Sequence, residues 1–197
     1  MATARLSAIE RTFRDFIDAI APAPIALIGG LAISARTEPR FTRDIDVAVA
    51  VADDASAEAV VHRLSGKRFK PVTVLENTTQ GRLGTVRLRR TPRAPIVDLL
   101  FASSGIEPEL VTAADRMIVL GRRVAVATVG HLIALKLLAR DDEHRPQDRV
   151  DLRALSVVAT EREWRRAATA VKLIEKRGFA RKRDLQAALV RLRAEIS

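Results

Sequence analysis

The chain has 197 residues and no cysteine, which excludes disulfide scaffolds, cysteine-ligated metal centres and thiol nucleophiles. Its composition, 48% apolar and 29% charged, is that of an ordinary folded protein and argues against disorder. The 34 basic residues outnumber the 24 acidic ones, and the net charge of +10 favours a polyanionic partner such as nucleic acid or nucleotide phosphate. A coding preference for arginine would raise the basic count in the same way.

The length fits one domain or a compact two-lobed protein. No apolar run approaches the roughly 18 to 20 residues needed to cross a bilayer. The N-terminal segment carries charges throughout and lacks the apolar core of a signal peptide. We therefore expect a cytoplasmic protein with no membrane partner.

Apolar periodicity predicts a mixed α/β arrangement for the first 127 residues. The predicted elements are a helix over 6–20, a strand over 25–28, a short helix from 31, a strand over 44–51, a helix over 54–64, strands over 69–75, 83–89 and 96–101, and a hairpin over 117–127. The strand over 83–89 alternates polar and apolar side chains, which predicts an edge strand.

After Thr128 the apolar spacing changes to a period between three and four, which predicts helices only. Thr160 followed by Glu163 predicts a capping box at the start of one helix, and Gly178 predicts its end. The predicted helices span 131–140, 148–159, 163–177 and 184–196. We therefore divide the chain into an N-terminal lobe, residues 1–127, and an all-helical C-terminal lobe, residues 128–197.

Three aspartates of the N-terminal lobe are candidate metal ligands. Asp44 and Asp46 lie two apart at the start of a predicted strand, so their carboxylates face the same side. Asp98 interrupts the apolar run PIVDLLF, where a buried charge requires a metal or a basic partner. Hard oxygen ligands of this kind suit Mg²⁺, which commonly binds one or two carboxylates together with substrate phosphates.

A second group of residues is suited to binding phosphate. Gly29 and Gly30 end a predicted strand and open a helix, where exposed N–H groups favour anions. Lys136 and Arg140 lie four apart on a predicted helix and so share a face. For each of these pairs, an ordinary steric turn or a solvated helix face is the alternative explanation.

Two further groups of charged or polar residues were considered. The C-terminal lobe has a basic cluster that is a candidate RNA-backbone patch, with a solvated helix junction as the alternative; its members are Lys176, Arg177, Arg181, Lys182 and Arg183. A zinc site is not expected, because no histidine has a second one at i+3 or i+4; the histidines are His62, His131 and His144.

The residues from 29 to 49, GGLAISARTEPRFTRDIDVAV, resemble the first motif of nucleotidyltransferase toxins of the AbiEii and MenT type. The matching positions are Gly29, Gly30, Arg40, Thr42, Asp44 and Asp46. VDL around Asp98 resembles the second motif, KLLAR from Lys136 to Arg140 the third, and QDRVDL with Asp148 and Asp151 the fourth. The fourth motif departs from the family pattern by carrying Gln147 where lysine is common.

This resemblance implies an α/β, polymerase-β-like nucleotidyltransferase fold with a mixed sheet, followed by the helical lobe. It implies a toxin of a toxin–antitoxin pair that transfers a nucleoside monophosphate from an NTP to RNA, at the 3′ end of tRNA. Blocking of translation and growth would follow. Asp44, Asp46 and Asp98 would hold two Mg²⁺ ions, and Lys136 and a helical-lobe carboxylate, Asp148 or Asp151, would complete the site.

The other implied roles are those of phosphate-binding and regulatory residues. Gly29, Gly30, Arg40, Thr42 and Arg140 would bind nucleotide phosphate. Thr42 lies two residues from Asp44, so a phosphate on Thr42 would repel the metal-bound nucleotide. Two alternatives stay open: nucleotidyl transfer to a small molecule or a protein hydroxyl, and a non-catalytic RNA- or partner-binding protein on the same scaffold.

Overall fold

The computed structural model describes residues 6–78, 80–141 and 146–195. His144, one of the three histidines considered above, lies outside these residues. The strands are β1 (Ile25–Ile28), β2 (Ile45–Val49), β3 (Lys70–Asn77), β4 (Arg82–Arg89), β5 (Val97–Leu100), β6 (Asp115–Val119) and β7 (Arg122–Val126). The helices are α1 (Ala8–Ile20), α2 (Gly29–Arg36), α3 (Asp54–Gly66), α4 (Glu107–Thr112), α5 (Val129–Ala139), α6 (Gln147–Val158), α7 (Glu161–Lys176) and α8 (Leu185–Ala194).

The strands form one mixed sheet in the order β3-β4-β5-β2-β1-β7-β6. The pairs β2–β5 and β1–β7 are parallel and the others antiparallel. The prediction that residues 83–89 form an edge strand is wrong, because β4 lies between β3 and β5. The strand alternates because one of its faces meets the core and the other carries Arg87, which pairs with Asp98 on β5.

The core of the N-terminal lobe lies between the sheet and its helices. Phe13 and Phe16 on α1 are fully buried, and Phe16 meets Phe69 edge to face with ring centroids 5.8 Å apart. Helix α1 begins with a complete capping box between Ser7 and Glu10. Aromatic contacts of this kind stabilise the fold beyond the area they bury.

The all-helical segment begins where the sequence pattern changes. Thr128 caps α5, its hydroxyl accepting from the His131 N–H. The capping box predicted at α7 is only half formed: Thr160 accepts from the Glu163 N–H, but the Glu163 carboxylate accepts from the Gly130 N–H of α5 instead. Glu163 thus joins two helices rather than closing its own N-terminus.

Helix α4 is absent from the sequence-based prediction. It has six residues and begins at Glu107, whose buried carboxylate accepts from the backbone N–H groups of Ser103 and Ser104 and from the Ser104 hydroxyl. This arrangement fixes the loop that follows β5. In the described part of the chain, no helix is both long and apolar enough to cross a membrane.

Candidate active site

A cleft of about 790 Å³ lies between the sheet, the N-terminus of α2 and the helices α5 and α6. It brings together most of the residues that the sequence singled out, although they are spread over more than a hundred positions. The predicted residues that line it are Gly29, Gly30, Arg40, Thr42, Asp44, Asp46, Asp98, Lys136, Asp148 and Arg181.

The carboxylates are positioned by the register of two parallel strands. Asp46 on β2 pairs directly with Asp98 on β5, and Asp44 lies just before β2. Because side chains alternate along a strand, Asp44 and Asp46 project to one side, and Asp98 projects beside Asp46. Two carboxylates on adjacent strands thus face the cleft as neighbours.

The environment of Asp46 disfavours its charged form. Burial is the largest cause and raises the pKa of Asp46 from 3.8 to about 6, and the charges of Asp98 and Asp44 act in the same direction. Lys136 and the Gly30 N–H oppose this rise. Burial and the two neighbouring carboxylates thus disfavour the charged form of Asp46, which is a local condition that a bound cation would relieve.

Arg87 is a residue of this cleft that sequence reasoning did not select. Its Nε and Nη2 donate to the two carboxylate oxygens of Asp98, both at 2.9 Å. The hydrogen bonds to Asp98 raise the pKa of Arg87. The apolar run around Asp98 predicts a metal or a basic partner, and in the structure the partner is basic, Arg87. The polar side chains that alternate along β4 were the sequence signal for where Arg87 lies.

The glycine pair leaves no room for side chains. Gly29 has φ +63°, and a Cβ there would lie 2.0 Å from the Asp46 Oδ2. A Cβ on Gly30 would lie 2.5 Å from the Thr42 Oγ1. Thr42 in turn donates to the Asp44 carbonyl at 3.3 Å. The turn between β1 and α2 thus packs directly against the carboxylate-bearing strand.

The helical lobe reaches the cleft through a buried charge network. Lys136 Nζ lies 2.6 Å from the Asp148 Oδ1 and 2.8 Å from the Asp151 Oδ2. Arg40 Nη2 donates to the Asp151 Oδ2 at 2.9 Å, and Arg40 Nε lies 2.8 Å from its Oδ1 without hydrogen-bond alignment. Gln147 donates to Asp151 at 3.2 Å. Asp151 thus connects Arg40 to the helical lobe, whereas Asp148 lines the cleft.

Arg140 lies elsewhere. Helix α5 ends at Ala139, so the residue four positions after Lys136 no longer continues the helical face, and Arg140 lines a separate cavity with Arg149 and Arg153. The prediction that Lys136 and Arg140 share a helix face is wrong for this reason.

The five residues of the predicted basic patch have different surroundings in the structure. Arg177 pairs with Glu109, Arg183 donates to the carbonyls at the end of α5, and Arg181 faces the cleft. Lys176 and Lys182 are exposed. The five residues therefore do not form one uniform surface.

The donor chemistry fits a divalent cation held by Asp44 and Asp46. Oxygen ligands from one or two carboxylates leave positions for substrate phosphates, the usual arrangement for Mg²⁺. Each Asp98 oxygen accepts one hydrogen bond from Arg87 and keeps a second lone pair, with which Asp98 could join this set. No three His, Asp or Glu side chains converge as a ready metal cage within the described residues.

The chain is similar to a known protein family and to several solved structures. Residues 11–196 match the family described as nucleotidyl transferase AbiEii toxin, type IV toxin–antitoxin system. No curated protein sequence matches the chain closely enough to count as a relative.

Several solved structures are similar at low identity. Antibiotic-resistance factor ANT(2″)-Ia is 19% identical, with 95% of this chain and 94% of that chain covered and a TM-score of 0.48. JHP933 from Helicobacter pylori is 16% identical, with 96% and 91% covered and a TM-score of 0.48. The nucleotidyltransferase toxin MenT4 from Mycobacterium tuberculosis H37Rv is 16% identical, with 83% and 63% covered and a TM-score of 0.49.

Proposed function

Because the chain belongs to the AbiEii family of nucleotidyl transferase toxins, we propose that it transfers a nucleoside monophosphate from an NTP to a hydroxyl of an RNA acceptor. The observation that carries this proposal is the register that sets Asp46 beside Asp98, directly against the Gly29–Gly30 turn. That arrangement joins a carboxylate pair to a helix N-terminus, the two elements needed to hold a triphosphate.

In the proposed reaction the acceptor hydroxyl oxygen forms a bond to the α-phosphorus of the NTP. The bond from that phosphorus to the bridging oxygen breaks, and pyrophosphate leaves with the bonding electrons. We assign the hydroxyl proton to the Asp98 carboxylate, which the Arg87 guanidinium keeps oriented toward the sheet face. Positioning and charge neutralisation supply most of the rate in phosphoryl transfers of this kind.

Asp44 and Asp46 would hold Mg²⁺ against the triphosphate. A bound divalent cation supplies Lewis-acid activation and neutralises charge on the phosphate oxygens. The raised pKa of Asp46 supports this role, since a cation there would offset the repulsion among the carboxylates. A second Mg²⁺ would share the Asp98 carboxylate with the Arg87 guanidinium.

Lys136 would meet the leaving pyrophosphate. Its side chain is 13% exposed and lines the cleft, although its ammonium is shared between Asp148 and Asp151. We assign Gly29 and Gly30 to the phosphates through the N-terminus of α2. Arg40 would act more indirectly, because its guanidinium contacts Asp151.

The acceptor is proposed from charge and from the family. A net charge of +10 suits a polyanionic acceptor and is not needed for a small, uncharged one. The family resemblance implies the 3′ end of tRNA, so modification would block aminoacylation, translation and growth. A cognate antitoxin would then restrain the activity.

Thr42 is a proposed regulatory position. Its hydroxyl lies against Gly30 and near Asp44, so a phosphate there would add negative charge beside the carboxylates. We expect Thr42→Glu to lose transferase activity and Thr42→Ser to retain it. A Thr42→Glu protein with full activity would rule out this form of regulation.

The transfer is tested by incubating the protein with Mg²⁺, total RNA and each α-labelled NTP in turn. We expect label in a tRNA-sized band for at least one nucleotide. Asp46→Asn should abolish this labelling, because it removes a proposed cation ligand. Asp54→Asn is the matched control, since Asp54 is an aspartate paired with Arg82 away from the cleft.

The outcomes separate the alternatives. Label in protein instead of RNA would contradict the acceptor assignment and leave the transfer chemistry standing. Label in neither, together with growth inhibition that survives Asp46→Asn, would favour a non-catalytic binding protein. Label in a small molecule would identify the remaining alternative.

A further inference from the structure

A second cavity adjoins the cleft. It has a volume of about 380 Å³ and shares Thr85, Ser103 and Arg181 with the cleft wall. We call it the side cavity. Its remaining walls include Leu75 on the edge strand β3 and Phe179 in the connection between α7 and α8.

The floor of the side cavity is an extension of the sheet face that carries the carboxylates. Leu75, Thr85 and Leu100 pair across three neighbouring strands. This row lies two residues along the strands, on the same sheet face, from the row formed by Arg87, Asp98 and Asp46. Strands lie about 4.8 Å apart, so β4 is about 10 Å from β2. The side cavity therefore begins within a short distance of the proposed reaction centre.

The side cavity presents two exposed or half-buried apolar groups. Leu75 is 58% exposed, although it lies on the cleft face of the sheet. The Phe179 ring packs against Gly105, where a Cβ would lie 2.5 Å from the ring. Glu76 also lines the cavity, next to a register shift between Leu75 and Glu76 that interrupts regular strand pairing there.

The polar lining of the side cavity includes one cation, Arg181, together with Glu76. Arg181 Nη2 donates to the Ser103 carbonyl at 3.3 Å. Burial and the like charge of Arg183 lower the pKa of Arg181, and no acid among the described residues offsets them. A guanidinium at the junction of two cavities, without a carboxylate partner in the described part of the chain, is suited to bind a phosphate.

We propose that the side cavity holds the single-stranded RNA segment that precedes the attacking hydroxyl, with Arg181 on a backbone phosphate and a base against Leu75 and Phe179. This inference rests on the proposed function. Aromatic and apolar contacts to unpaired bases, combined with arginine contacts to phosphates, are the usual basis of single-strand binding. A duplex would present stacked bases that these side chains cannot reach.

The test measures binding of a short fluorescent single-stranded RNA by fluorescence anisotropy, without NTP. Leu75→Glu should weaken binding about tenfold by replacing an apolar contact with an anion. Its matched control is Val74→Glu, because Val74 is 54% exposed on the other face of the same strand. Val74→Glu should bind as the wild type does.

A second pair of variants tests the phosphate contact. Arg181→Ala should weaken binding about tenfold and reduce the salt dependence of the affinity. Arg123→Ala is its control, since Arg123 is exposed on β7, near the opposite edge of the sheet. The proposal would be overturned if Leu75→Glu bound RNA as tightly as Val74→Glu, or if Arg181→Ala bound it as tightly as Arg123→Ala. It would also be overturned if these substitutions weakened binding of a duplex RNA by as much as they weaken binding of the single strand.

The binding assay and the transfer assay can contradict the two proposals independently. RNA binding that depends on Leu75 and Arg181 in a protein that labels no RNA would contradict the proposed function and support the side cavity as a binding site. RNA labelling with an unchanged KM for RNA in Leu75→Glu and Arg181→Ala would support the function and contradict the side cavity.

Discussion

Arg87 and Asp98 face each other across adjacent strands and form a two-hydrogen-bond ion pair, with both contacts at 2.9 Å. The Asp98 side chain is 11% exposed and that of Arg87 is 45% exposed. Removing one partner of such a pair leaves the buried charge without compensation. The same carboxylate that belongs to the proposed reaction centre is thus held by an arginine of the sheet.

The first prediction concerns this pair. Arg87→Ala should lower the stability of the metal-free protein by about 2 kcal/mol, because Asp98 loses its counter-charge. Added Mn²⁺ should then raise the melting temperature more in Arg87→Ala than in the wild type, since the Asp98 carboxylate is then no longer shared with Arg87. Differential scanning fluorimetry with and without Mn²⁺ measures both effects. Arg89→Ala, on the same strand, is the control, and equal Mn²⁺ shifts in all three proteins would contradict the prediction.

The second prediction concerns the glycine turn. Gly29→Ala should cost about 3 kcal/mol, because it combines a left-handed backbone with a collision against Asp46. Gly81→Ala is a close control: Gly81 has φ +59°, and nothing lies within 4 Å of a Cβ there. It should cost about 1 kcal/mol and retain RNA labelling. Urea unfolding measures the difference, and similar losses in both variants would show that Asp46 is not closely packed against the turn.

The fold was largely predictable because its elements have strong local signals. The strands and helices around the site were located from apolar spacing, and Gly178, with φ +79°, follows α7 as predicted. Alternation alone does not place β4 in the sheet, since a strand facing a cleft and an edge strand show the same alternation. Pro71 was the unused signal that β3 is the edge, because proline cannot donate to a neighbouring strand.

The site was only partly predictable from the sequence, because some of its contacts depend on strand register and on residues far apart in the chain. Asp44 and Asp46 lie in one local motif, so sequence spacing found them. The partnership of Arg87 and Asp98 depends on strand register, and that of Arg40 and Asp151 joins residues 111 positions apart. Arg140 was misplaced because no glycine or proline marks the end of α5 at Ala139.

The third prediction tests the link between the lobes. Asp151→Ala should destabilise the protein by about 3 kcal/mol, because it removes a 1%-exposed carboxylate, leaves Arg40 without that partner and leaves Lys136 paired with Asp148 alone. Asp115→Ala removes a 60%-exposed partner of Arg36 and should cost under about 1 kcal/mol. Chemical unfolding of the two variants gives the comparison. Equal losses would mean that the buried network contributes no more than a surface ion pair.

The last prediction is a pH dependence of stability. Burial is the main cause that lowers the pKa of His131 from 6.5 to about 4, and the charge of Arg166 adds to it against the opposing charges of Glu163 and Glu109. Between pH 6.5 and about pH 4, His131 binds a proton in the unfolded chain but not in the folded protein. The contribution of His131 to stability is therefore retained above about pH 6.5 and is lost as the pH decreases toward 4, by an amount on the order of 3 kcal/mol. Asp46, whose pKa is raised from 3.8 to about 6, contributes in the opposite direction between those values.

The pH dependence of stability is measured by urea unfolding at a series of pH values. His131→Gln should lose less stability than the wild type as the pH falls from 6.5 to 4, because the group that takes up the proton on unfolding is gone. His62→Gln is the control, since His62 is exposed and should leave the pH dependence unchanged. The same pH dependence in His131→Gln as in the wild type would contradict the prediction and would show that His131 is charged at little cost in the folded protein.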